Sequence, residues 1–301
     1  MNTIIDQELW VSIDSYIDTN YLAAEKKEEA YVLDNNVMTH LATSARNHPT
    51  DFECMLESLN IRKYDVIIPS IILEESAGNT WMTKEKYEEL YLPFFQTLSN
   101  FTKVYILTVS DVLNVIADGD SNASSAFDTF QLIAQKLNKA NIDIQIALKD
   151  ATTDSHIENA LRINSDDAGE RVAHLVICSL LMNGLETVTF LSDEEKQVFN
   201  TRIIVSSDET LLEIMRMPSQ NIFLQSYLLN SFDCILYETM RNYRTWSLVE
   251  KKEFIRRNRN GSAINRNVRY QLSDSTFDRS QLGNDEFASL VHDNPASRIL
   301  F

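Results

Sequence analysis

The 301-residue chain is poor in the residues that punctuate or cross-link a fold, with 6 glycines, 5 prolines and 3 cysteines. So little glycine and proline excludes collagen-like, glycine-rich and proline-rich architectures. Cys54, Cys178 and Cys234 are odd in number, far apart and form no CxxC, which indicates neither a disulfide framework nor a zinc ribbon. Positive charge is scarce as well: 27 Lys and Arg face 44 Asp and Glu, for a net charge of −17. That balance disfavours a protein that coats nucleic acid over its whole surface, but it permits a local basic contact or an acidic pocket for cations. Long apolar runs are missing too. The longest, Ala173 to Met182, is far below the ~20 residues that span a bilayer. The opening Met1-Asn2-Thr3-Ile4-Ile5-Asp6 lacks the regions of a signal peptide. The expectation is a reduced, cytoplasmic protein without membrane association. No GxGxxG, GxxxxGK[ST] or GxSxG occurs, so neither a nucleotide cofactor nor a nucleophile-elbow hydrolase is indicated. His40, His48, His156, His174 and His292 match no zinc pattern. His174 and Cys178 read as core residues of a helix.

Present instead is ordinary globular composition, 44% apolar and 24% charged, enough for a real core in one large domain or two. Short β-branched runs recur and end in polar residues: Tyr31-Val32-Leu33, Val66-Ile67-Ile68, Val104 to Val109, Thr187 to Leu191 and Ile203-Ile204-Val205. Such runs fit strands buried on both faces. Helical patterns lie between them, clearest over Glu170 to Leu181, where Val172, Leu175, Val176, Ser179 and Leu180 follow a 3.6-residue period. Strands alternating with helices predict an α/β fold: three α/β/α layers around a central parallel sheet of about five strands. The expected organisation is an N-terminal helical extension over 1–30 and a central domain over 31–225. That domain carries a largely helical insertion at about 76–165, with helices near 84–99 and 123–140. A C-terminal extension over 226–301 begins with helices at Tyr227 to Tyr243 and Ser247 to Arg257, then turns polar from Asn258 onward and is expected to be partly extended or disordered.

The most informative feature is where the acids stand. Asp34 follows the first run, Glu74 and Glu75 lie one turn into the helix after the second, and Asp166, Asp167 and Glu170 open a later helix. Asp193 follows the fourth run and Asp208 the fifth. In a parallel sheet the carboxyl ends of the strands share one edge, where ligands bind. Several carboxylates converging there repel one another and call for a cation, and oxygen donors select Mg²⁺ or Mn²⁺. Each acid taken alone also fits a simpler role. Asp and Glu favour the first turn of any helix, and the segments opening at Asp167, Ser192 and Ser206 read as capping boxes. Asp34 has no capping-box partner.

The order of these segments resembles the PIN-domain nucleases. Val32-Leu33-Asp34-Asn35-Asn36 is similar to the family's opening strand running into Asp-x-Asn. Ile68-Pro69-Ser70-Ile71-Ile72-Leu73-Glu74-Glu75 is similar to its second motif, whose spacing favours Glu75 over Glu74. Asp167-Ala168-Gly169-Glu170 resembles a variant of the third motif, and Phe190-Leu191-Ser192-Asp193-Glu194 the fourth, in which Asp193 or the adjacent Glu194 fills the acidic position. The resemblance covers about residues 31–215. It implies a PIN-like, metal-dependent endoribonuclease that hydrolyses phosphodiester bonds, with Asp34, Glu75, Glu170 and Asp193 as catalytic ligands of Mg²⁺ or Mn²⁺ and Asp167 as a further candidate. Asn36 and Ser192 would orient those ligands. The implied partner is single-stranded or structured RNA. A catalytically silent PIN-like scaffold that binds RNA, a protein partner or a second copy is the alternative. A phosphatase using Asp34 as nucleophile is disfavoured, because position 36 is Asn rather than a second Asp.

One region runs against the overall charge. Residues 239–270 hold nine basic and two acidic side chains, a segment of +7, so the remainder carries −24. Lys251, Lys252, Arg256, Arg257 and Arg259, interleaved with aromatics, suit contact with RNA phosphates and bases. They equally suit a helix that docks on the protein's own acidic surface.

Overall fold

The structure is a computed structural model. It describes residues 16–17, 21–23, 25, 27–76, 83–119, 123–163, 167–259, 266–272, 276–294 and 297–299. Most of the expected N-terminal extension, and Asp166, lie outside these residues.

Five parallel strands form the central sheet: β1 (Glu29–Leu33), β2 (Tyr64–Pro69), β3 (Val104–Leu107), β4 (Thr187–Leu191) and β5 (Tyr227–Asn230), in the order β3-β2-β1-β4-β5. After its first residue β1 is buried throughout, as are β2, β3 and β4. The sheet is therefore covered on both faces, which is why its strands read as continuous apolar runs instead of alternating ones. The helices that cover it complete the three α/β/α layers. They include α1 (Asn35–Asn47), α2 (Pro49–Ser58), α3 (Ser70–Ser76), α4 (Leu92–Ser99), α5 (Val109–Gly119), α6 (Ala123–Leu137), α7 (Ile142–Lys149), α8 (Asp154–Leu161) and α9 (Ala168–Met182). Helix α9 is buried along most of its length and touches β1, β2 and β4. Cys178 lies in that core. His174 does too, its Nδ1 2.6 Å from the Tyr227 hydroxyl, and burial lowers its pKa to about 3, so the imidazole is neutral. No helix among the described residues is long and apolar enough to cross a membrane.

Two elements depart from the sequence reading. Ile203-Ile204-Val205 is not the fifth strand. It belongs to helix α10 (Glu195–Ser206), with Val198 and Val205 buried and Ile203 and Ile204 exposed. Three apolar residues in a row do not distinguish a period of 2 from one of 3.6, and Val198 two turns earlier decides for the helix. Two short helices, α11 (Glu209–Ile214) and α12 (Gln220–Ser226), follow it. The fifth strand is Tyr227–Asn230, expected as the start of a helix. That helix, α13 (Phe232–Asn242), begins only after Ser231, whose side chain accepts from the Cys234 amide. A boundary at 225 thus cuts ahead of a strand of the central sheet.

The C-terminal polar stretch is also more ordered than its composition suggests. After α14 (Leu248–Asn258), β6 (Arg266–Gln271) and β7 (Phe277–Leu282) pair antiparallel, and β8 (Arg298–Ile299) joins the other edge of β6. Val268 and Tyr270 alternate inward on β6, a period-2 pattern masked by the basic residues Arg266 and Arg269 in the same strand. Helix α15 (Asn284–Asp293) packs on α14, and Phe254, Val268 and Phe287 join the same core cluster as Val32 and Phe190.

Candidate functional site

Strand order reverses between β1 and β4, the position at which open parallel sheets bind ligands beyond their carboxyl ends. Asp34 stands there. Its backbone N–H still extends the β1–β4 ladder, donating to the Leu191 carbonyl at 2.9 Å. Its carboxylate accepts from the Asn35 amide (2.7 Å) and from Ser192 Oγ (2.8 Å), the first side chain beyond β4. Only 3% of Asp34 is exposed. Burial raises its pKa and the Glu194 charge adds to the rise, while the Ser192 and Asn35 hydrogen bonds oppose it.

Glu75 reaches the same point from the end of α3. Its Oε1 accepts from the Gly169 amide at 2.6 Å, so it serves the N-terminus of α9, whose free N–H groups attract an anion. Asp167, the residue in the capping position, makes no side-chain capping bond and pairs with Arg171 at 3.3 Å instead. Gly169 lies close against Glu75 and Ile72. A Cβ there would lie 2.3 Å from Glu75 Oε2 and 2.5 Å from Ile72 Cδ1. Gly169→Ala is expected to displace Glu75 and destabilise the protein by about 1–3 kcal/mol, an overpacking cost readable in a urea melt. Glu74 turns elsewhere, into an ion pair with Arg162 at 2.6 Å.

Glu170 stands in the first turn of α9, and its Oε2 is buried with no hydrogen-bond partner. Burial, then the charges of Asp34, Glu194, Asp167 and Glu75, raise its pKa to about 8. Glu75 is pushed up to about 7, chiefly by burial and with the Asp34 charge adding, against the Gly169 N–H. These carboxylates thus lie within each other's fields although they come from three separate elements.

Beyond β4 the two adjacent acids divide. Glu194 accepts from Asn36 Nδ2 at 3.3 Å, and its charge reaches both Asp34 and Glu170. Its own side chain makes no capping bond to α10. Asp193 turns toward the start of α13. It accepts from the Phe232 amide at 2.8 Å, at the start of α13, and faces His40 Nε2 at 3.5 Å. Burial raises its pKa to about 6, with Phe232 N–H opposing, and Asp34 is the last of the neighbours that act on it. Of the two residues the fourth motif offers, Glu194 is the one turned to the Asp34–Glu170 pair. Ser192, fully buried, ties the cluster together by donating to Asp34 and accepting from the Glu194 amide at 3.1 Å. Asp208 lies apart and is a true cap. It accepts from Leu211 N–H at 3.3 Å, and although burial acts upward, Lys139 and Lys136 hold its pKa down to about 2.

The donors are all oxygens, which suits Mg²⁺ or Mn²⁺, and the unpartnered Glu170 oxygen is one that a cation would satisfy. Among the described residues, however, no three acidic, histidine or cysteine side chains are gathered around one point as in a finished metal centre. Binding would therefore require the carboxylates to close in.

Their raised pKa values have a consequence for stability. In the folded state Glu170 holds its proton up to about pH 8, whereas the unfolded chain releases it near 4.5. Native protein binds more protons across that window, so this contribution is complete below it and is lost as pH rises to about 8. Glu170→Gln is expected to remove that slope. In metal-free buffer it should raise stability near pH 8 by on the order of 1–2 kcal/mol after solvent screening, and leave it unchanged near pH 4. Thermal melts across pH read this directly.

The two readings of the basic segment separate here. Arg259, 1% exposed, pairs bidentately with Asp233 at 3.0 and 2.8 Å and donates to the Leu282 carbonyl. Arg257 pairs bidentately with Asp51, and Arg256 with Asp285, which Lys252 also approaches at 3.7 Å. Lys251 is buried. Lys252, Arg256, Arg257 and Arg259 thus pair with the protein's own acids, as the docking reading expects. Compared with family models, curated proteins and solved structures, the chain matches none.

Proposed function

We propose that the protein is a metal-dependent nuclease of PIN-like type, hydrolysing phosphodiester bonds at the switch point of its parallel sheet. The observation that carries this reading is the convergence there of Asp34, Glu75, Glu170 and Glu194, where burial and neighbouring charge raise the pKa of Asp34, Glu75 and Glu170 and a buried Glu170 oxygen is left without a partner. Asp34, Glu75 and Glu170 would hold Mg²⁺ or Mn²⁺, with Glu194 completing the set and Asp193 at its rim. When bound, such a cation supplies Lewis acidity, activating water and stabilising the charge that develops on phosphate. The chain's own residues supply position. Ser192 and the Asn35 amide fix the Asp34 carboxylate, Asn36 fixes Glu194, and the Gly169 amide fixes Glu75. RNA as substrate rests on the resemblance of the motifs to PIN-domain nucleases.

The catalytically silent scaffold is the second reading, favoured by the lack of a gathered three-carboxylate centre among the described residues. Incubation of a labelled single-stranded RNA with the purified full chain, with and without Mn²⁺, separates the two. Cleavage that needs Mn²⁺ and disappears in Asp34→Asn supports the nuclease. Intact RNA under all conditions supports the scaffold.

A further inference from the structure

Beside the carboxylates lies a cavity of about 390 Å³. Asn36, His40 and Asp193 wall it from the strand-end side, Asp233 from the start of α13, and Arg266 and Asn267 from β6. The C-terminal antiparallel sheet therefore forms one side of a cleft whose other side belongs to the proposed active site.

The charge balance in this cleft is unusual for the molecule. Asp233 is already neutralised by the bidentate, buried Arg259. Arg266 Nη1 approaches the same carboxylate at only 3.6 Å. Around Asp233 one carboxylate lies between two guanidinium groups, which leaves a positive charge facing Asp193 across the cavity, and Arg266 is the more exposed of the two, with 27% of its side chain accessible against 1%. Its field reaches both His40, where it adds to the fall in pKa caused by burial, and Asp193, where it opposes the rise caused by burial. Arg256 and Arg257 are bound to Asp285 and Asp51, whereas Arg266 lines this cavity. His40, stacked on Phe232 with centroids 4.8 Å apart, gives the cavity a firm aromatic wall.

We propose that this cavity seats a backbone phosphate of the RNA strand next to the scissile one, with Arg266 as its charged contact and the Asn36 and Asn267 amides beside it. The inference rests on the nuclease reading and deepens it. A site that is negative at its centre needs a fixed cation at its rim to hold a polyanion, and Arg266 stands at that rim, pre-positioned by the buried Asp233–Arg259 pair.

The test is fluorescence anisotropy of a labelled single-stranded RNA with the full chain, Ca²⁺ replacing Mn²⁺, across a salt series, with Mn²⁺-dependent cleavage assayed in parallel. Arg266→Gln is expected to weaken binding by roughly 10-fold and to reduce the slope of log K against log salt by about one, while Arg266→Lys recovers most of both. Asn267→Asp, on an exposed strand position, places an anion at the same mouth and is expected to weaken binding comparably without the risk of misfolding. Unchanged binding and salt slope in Arg266→Gln and Asn267→Asp, or no binding by the unmodified chain, overturns the inference whatever the cleavage result. Arginine-dependent binding without any cleavage upholds the cavity and overturns the nuclease.

Discussion

Asp34→Asn is expected to abolish metal-dependent cleavage, lowering the rate by at least roughly 10²–10³-fold, while leaving the fold intact. The reasoning is geometric. Asn is isosteric with Asp, and its amide oxygen still accepts from the Asn35 N–H that now binds Oδ1 at 2.7 Å. What is lost is the negative charge at the position bracketed by β1 and β4, and with it the acceptor for Ser192 Oγ, because the Asn amide nitrogen donates where Oδ2 now accepts. Removing a charge that burial disfavours offsets that lost hydrogen bond, so the melting temperature of the metal-free protein should change little. Lost cleavage with an unchanged melt separates a failed site from a failed fold. Cleavage kinetics and thermal denaturation of the same preparation provide both readings.

The largest stability effect is expected at Arg259. This side chain is fully buried, bidentate to Asp233, bonded to the Leu282 carbonyl and stacked over Phe287, its guanidinium carbon 4.6 Å from the ring centroid. It joins α14 to α13, β7 and α15 at once. Arg259→Met removes one partner of a buried pair and leaves Asp233 with only the looser Arg266. The expected cost is about 3–5 kcal/mol, roughly 6–15 °C in melting temperature. Replacing both partners, Arg259→Met with Asp233→Leu, is expected to recover much of the loss, because the stranded charge is then gone. If the double variant melts as low as the single one, the packing of the arginine rather than its pairing holds the C-terminal elements in place.

These two positions also mark what the sequence could and could not disclose. Asp34 was legible because a parallel sheet brings all strand ends to one edge, so a residue's place in its own short segment predicts its neighbours. The same logic applied to Glu75, and to Glu170 at the start of its helix. It left Asp193 and Glu194 undivided, since which of two adjacent side chains turns to Asp34 and Glu170 depends on the Phe232 amide, which captures Asp193 from 39 residues away. It also could not separate caps from site residues. Asp208 caps a helix, whereas Asp167 and Glu194 do not cap with their side chains.

The basic segment was illegible for a related reason. Its partners are Asp51, Asp233 and Asp285, at sequence separations of 206, 26 and 29 residues, and nothing local announces them. A +7 stretch in a −17 chain looks like a contact for an outside polyanion until its pairs are known. The fifth strand failed on local pattern. Tyr227-Leu228-Leu229-Asn230 lacks the β-branched residues of the other strands and adjoins a strong helix, while Ile203-Ile204-Val205 has those residues but sits on a helical period.

The central claim is that the strand-end carboxylates close around a divalent cation. Electron paramagnetic resonance of Mn²⁺ titrated into the full chain near neutral pH tests it most directly, because bound ion loses the sharp signal of free ion and no substrate is needed. Stoichiometric loss of signal in the unmodified protein is expected, with little or none in Asp34→Asn and Glu170→Gln. A free-ion signal undiminished by the unmodified protein, or equal binding by all three proteins, would contradict it.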